Sequence, residues 1–173
     1  MEITAEKIMQ QLSAGTQVAG VIAVFGEEGY YKIAAALPRA VFGDAAPEDR
    51  EITVFERDTD IKEISAAVNT YPFFSGRSLV IIKDEKLWGG KDGGEKRKQQ
   101  QEELAELLAD VPEHCQVLLL CEKIDKRGKL YKSLLKTAAM VECKSLKSYQ
   151  LKPWLDEQAA LRGCRLDYDA SQT

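Results

Sequence analysis

One histidine, His114, and four cysteines in 173 residues leave little for zinc ligation or a histidine-based triad. Cys115, Cys121, Cys143 and Cys164 form no CxxC pair, and Cys121 and Cys143 lie in apolar runs that read as buried strands. They are expected to be reduced thiols of a cytosolic protein, and the fold is expected to need no disulfide. No apolar stretch approaches the length of a membrane span, and Met1-Glu2-Ile3-Thr4-Ala5-Glu6-Lys7 lacks the basic-then-apolar form of a secretion signal. The expected location is the cytoplasm, with no membrane partner.

A phosphate-binding loop is missing as well. Val18 to Phe25 is a continuous apolar run of the kind buried on both faces of a parallel sheet, and the turn after it is where such sheets bind ligands. That turn reads Gly26-Glu27-Glu28-Gly29, without the glycine run, the lysine or the Ser/Thr that a triphosphate and its magnesium require. Two carboxylates at a helix N-terminus favour the macrodipole and repel a nucleotide anion. Asp84-Glu85 imitates the acidic pair of nucleotide hydrolases, but without the loop it reads as the solvated end of a strand.

What is present is a core-forming composition, 45% hydrophobic, with a net charge of −4. Residues 121–152 run against that balance, with nine basic residues and three acidic ones. Lys123, Lys126, Arg127, Lys129, Lys132, Lys136, Lys144 and Lys147 suit a phosphate backbone or an acidic protein face; equally, they suit a solvated lysine-rich surface.

Apolar spacing divides the chain into alternating strands and helices. Thr4, between Ile3 and Ile8, reads as the N-cap of a short helix that ends at Gly15. Helix is expected from Tyr30 to Ala36, stopping near Pro38, and again after Asp60, with Ile61, Ile64 and Val68 on one face. Lys96–Ala109 and the Leu130, Tyr131, Leu134, Leu135 set read as two further helices. Strands are expected at Val18–Phe25, Ile52–Phe55, Leu79–Ile82, Val117–Leu120 and Met140–Cys143. This order predicts a doubly wound, mainly parallel five-stranded α/β sheet over residues 1–146. Residues 147–173 read as the start of a truncated helical domain, with Ser148 as cap, Leu151, Trp154, Leu155 and Ala159 on one face, and Gly163 as terminator.

The stretch Asn69-Thr70-Tyr71-Pro72-Phe73-Phe74-Ser75-Gly76-Arg77 stands out against this plan. Two adjacent phenylalanines lie between a proline and a Ser-Gly turn signal, so at least one ring is expected to point away from the core, as a docking group would. The plainer alternative caps the core with both rings.

Three segments together resemble the delta subunit of the bacterial DNA polymerase III clamp loader. They are Val24-Phe25-Gly26-Glu27-Glu28, the Asn69–Ile82 stretch, and Val117–Leu120 leading through Glu122-Lys123-Ile124-Asp125-Lys126-Arg127-Gly128-Lys129-Leu130-Tyr131-Lys132. The polar Lys91–Gln101 stretch departs from the family pattern. The resemblance implies an AAA+-like domain without a working ATP site and with no catalytic residue, metal or cofactor. It also implies a role in DNA replication, in which Phe73 and Phe74 enter a pocket of the sliding clamp, framed by Tyr71, Pro72, Ser75 and Arg77. Implied partners are the clamp, the tau/gamma and delta-prime subunits and DNA, the last through Lys123, Lys126, Arg127, Lys129 and Lys132. A phosphoacceptor receiver or nucleotide-binding switch is the alternative, with Glu27, Glu28, Asp84 and Lys144 after strands one, three and five.

Overall fold

Strand residues alternate between two core layers, one on each face of a single sheet. The computed structural model describes residues 1–15, 18–26, 30–56, 59–83, 94–143, 152–153, 155–156, 159–160 and 163–164, without the side chains of 30, 31, 96 and 97. The chain divides into two compact units, Met1–Cys143 and Lys144–Thr173.

The first unit runs β1 (Glu2–Ile3), α1 (Ala5–Ser13), β2 (Val21–Gly26), α2 (Tyr30–Phe42), a 3-10 turn (Pro47–Asp49), β3 (Glu51–Phe55), α3 (Ile61–Asn69), β4 (Ser78–Ile82), α4 (Glu95–Ala109), β5 (Cys115–Cys121), α5 (Lys129–Thr137) and β6 (Ala139–Cys143). The strands lie in the order β1-β6-β2-β5-β4-β3, and every pairing is parallel. Central β2 pairs with β5 at Ile22–Leu118 and with β6 at Ile22–Ala139. Val21, Ala23, Val80, Ile82, Val117, Leu119 and Met140 pack on the face covered by α3, α4 and α5. Ile22, Val24, Leu79, Ile81, Leu118, Leu120 and Val141 pack on the opposite face, under α1 and α2. Helices on both faces cover strands that are apolar on both sides, as a parallel sheet requires.

The doubly wound parallel sheet is therefore present, with six strands where five were expected. The addition is β1, whose two residues pair with Met140 and Val141 of β6. Two residues carry no alternation, so no periodicity announced it. The helix over Tyr30–Phe42 also continues through Pro38, which was expected to end it. A prolyl nitrogen removes one helical hydrogen bond, yet Leu37, Val41 and Phe42 all reach the core on this helix. Tertiary burial outweighs the local penalty, and the helix ends instead at Gly43, whose φ is 59° and whose N–H donates to the Arg39 carbonyl.

Other local signals hold as read. Thr4 caps α1 by accepting from the Lys7 amide, and Asp60 caps α3 by accepting from the Lys62 amide. In the second unit, residues 152–153, 155–156 and 159–160 are helical, and the backbone turns at Gly163, φ 69°. Ser148, Leu151 and Trp154 lie outside the described residues.

Candidate functional site

In a parallel sheet every strand starts at one edge and finishes at the other, so the two loop sets are separated by the strand length. For the five residues of β4 that is roughly 16 Å.

The α3–β4 connection lies at the edge where strands begin. Thr70 closes α3, its N–H and hydroxyl both donating to the Ala66 carbonyl. Pro72 is buried and anchors the loop. Gly76 turns the chain at φ 65°, a conformation that favours glycine, and the Ser75 hydroxyl donates to the Arg77 carbonyl at 2.6 Å. Ser78 then enters the sheet.

Between these anchors the aromatic rings point outward. Phe73 is 88% exposed, Phe74 69% and Tyr71 71%, so the core-capping alternative for the pair is excluded. The phenyl rings meet edge to face with centroids 5.2 Å apart. Tyr71 stacks edge-on against His114, the only histidine, at 5.1 Å. Arg77 is exposed and Ser75 half-buried. Arg77 and His114 also border a cleft of about 300 Å³ that continues to Gly20, Leu37 and Val41. The two phenylalanines and the four residues expected to frame them thus lie on one short loop, five of the six open to solvent to some degree and Pro72 beneath.

One residue at this site gave no sequence signal. Glu51, the first residue of β3, accepts the backbone N–H bonds of both Phe73 and Phe74 on a single carboxylate oxygen. It lies more than 20 residues away in the chain, and only the pairing of β3 with β4, Glu51 opposite Ser78, brings it there.

The opposite edge holds the end of β2 and the connection from β5 to α5. Gly26 closes β2 with φ 117°, and its N–H donates to the Glu122 carbonyl at 3.1 Å. Glu27, Glu28 and Gly29 lie outside the described residues, as do Asp84, Glu85, Lys144 and Lys147. Lys126 pairs with Glu142 at 2.8 Å and sits over the Phe25 ring. Lys129 pairs with Glu102 at 2.8 Å. Those hydrogen bonds hold both ammonium groups above the usual lysine range and the Glu102 carboxyl below its own. Lys123, Arg127 and Lys132 are exposed. No group of three His, Cys, Asp or Glu among the described residues is arranged to hold a metal, and no described helix is long and apolar enough to cross a membrane.

Sheet order, faces and helices define a doubly wound, all-parallel α/β domain. The family model for the DNA polymerase III delta subunit matches residues 39–144. DNA polymerase III subunit delta of Bacillus subtilis is 30% identical over 134 residues, 75% of this chain and 39% of that protein. The chain therefore belongs to the DNA polymerase III delta-subunit family, and it spans about two-fifths of the length of that curated relative. Among solved structures, the Bacillus subtilis DNA clamp loader delta protein superposes with a TM-score of 0.73 at 23% identity, covering 96% of this chain and 50% of that one. A DNA polymerase III gamma subunit-related protein of Thermotoga maritima superposes at 0.53 and 19% identity, covering 95% and 56%. Both show the shared fold; Glu27, Glu28, Asp84 and Lys144, on which the receiver-domain alternative rests, lie outside the described residues.

Proposed function

We propose that this domain is the clamp-gripping part of a clamp-loader delta subunit: it binds the sliding clamp through Phe73 and Phe74 and helps to open the ring for loading onto DNA. The observation that carries the proposal is the outward pair, 88% and 69% exposed, on a loop tied to the sheet. Burying each ring contributes about 1.5–3 kcal/mol in area terms. Tyr71, Pro72, Ser75 and Arg77 shape the rim. Ring opening needs more than grip: the domain must bind the relaxed, open clamp more tightly than the closed one, so that binding shifts the clamp's population towards a parted subunit interface.

The domain does this without fuel. Its turn after β2 offers carboxylates where a triphosphate needs glycines and lysine, so ATP acts on other subunits of the loader. The docking loop lies at the edge of the sheet away from that turn, which leaves the old ligand edge free for neighbouring subunits or DNA. Lys123, Arg127 and Lys132 are the better candidates for such contacts, because Lys126 and Lys129 already hold carboxylates. The setting is cytoplasmic, within the replication machinery, with tau/gamma and delta-prime as partner subunits, and residues 147–173 begin the next, helical domain. Immobilised chain should capture the cognate sliding clamp, and the F73A/F74A variant should not; capture by both equally rejects the site.

A further inference from the structure

We infer that Glu51 is a positioning residue that sets the Phe73-Phe74 backbone in its docking conformation before any partner arrives. The inference rests on the docking role proposed above and adds the device that prepares it. The two rings are too exposed to be fixed by packing, and their contact with each other does not tie them to the sheet. What ties them is the convergence of two successive N–H groups on one Glu51 oxygen. Successive amides aimed at one point form an anion-binding concavity, and a carboxylate in it makes stronger bonds than a neutral acceptor.

The carboxylate is not needed for the sheet. Glu51 pairs with Ser78 through its backbone, and the side chain is free to turn towards the loop. Pro72 below and Gly76 beyond limit the conformations left to residues 73–75, and Glu51 selects among them. A loop already ordered spares the complex that ordering cost when it forms, which raises affinity without adding a contact to the partner.

The test uses the 173-residue chain as native protein and as E51A, E51Q and F73A/F74A, read by amide NMR and by affinity for the cognate sliding clamp. E51A should move the Phe73 and Phe74 amide resonances, speed their hydrogen exchange, and weaken clamp binding about tenfold, equivalent to about 1.4 kcal/mol. E51Q keeps a carbonyl acceptor of roughly half the strength, so it should recover to within about threefold of native. Unchanged amides in E51A overturn the inference. So does unchanged clamp affinity in E51A when F73A/F74A has lost binding, or an E51Q variant as weak as E51A. Native-like binding by F73A/F74A instead removes the docking role itself, and the role of Glu51 with it.

Discussion

Gly26 heads the turn where a nucleotide hydrolase would cradle phosphate, yet its glycine has a steric cause. A Cβ at this position would stand 1.9 Å from the Cys143 carbonyl oxygen, on a backbone at φ 117°. Gly26→Ala should therefore destabilise the fold by about 2 kcal/mol or more, read as a lower midpoint in urea; an unchanged midpoint contradicts the packing. Leu118, fully buried on the central strand β5, gives a second residue-scale expectation. Truncating it to Ala should cost about 2–5 kcal/mol in the same measurement, and a loss below about 1 kcal/mol contradicts its place in the core. The outward aromatic pair was legible because two large apolar side chains stood between turn residues. Glu51 was not, since nothing in its neighbours distinguishes it from an ordinary carboxylate at the start of an edge strand; its partners exist only after two strands have paired.

Strands β2, β4 and β5 were legible because each is apolar on successive residues, and no amphipathic helix has that pattern. Edge strand β3 was legible from Ile52 and Val54, although both remain partly exposed, at 39% and 45%. Two failures have the same physical origin. Pro38 is a local signal overruled by burial of Val41 and Phe42, and β1 is a tertiary pairing with no local signal. Both depend on contacts between elements distant in sequence. The strands also make a prediction of their own. Cys115, Cys121 and Cys143 are buried in β5 and β6, and Cys164 is exposed. Burial pushes the Cys115 and Cys143 thiols up, so their reactive thiolates form only at higher pH. A thiol reagent should label the native chain rapidly at Cys164 alone, and still at Cys164 alone when the pH is raised from about 7 to about 8.5. Fast labelling of four thiols without denaturant contradicts the strand assignment.

Across the whole molecule, the sheet separates two kinds of surface. The edge where strands begin presents aromatic rings, and the edge where they end presents Gly26, at the close of β2, and a basic segment. Titration with ATP and Mg²⁺ should give no calorimetric signal at micromolar concentrations, because Gly26-Glu27-Glu28-Gly29 lacks the residues a triphosphate requires; micromolar affinity would favour a nucleotide-binding switch instead. Whether Phe73 and Phe74 grip a ring-shaped partner is tested most directly by equilibrium titration of the cognate sliding clamp against the native chain and F73A/F74A. Two rings at about 1.5–3 kcal/mol each correspond to a loss of about a hundredfold or more in affinity, with the melting temperature unchanged. Equal affinities for the two proteins, at equal stability, would contradict that grip.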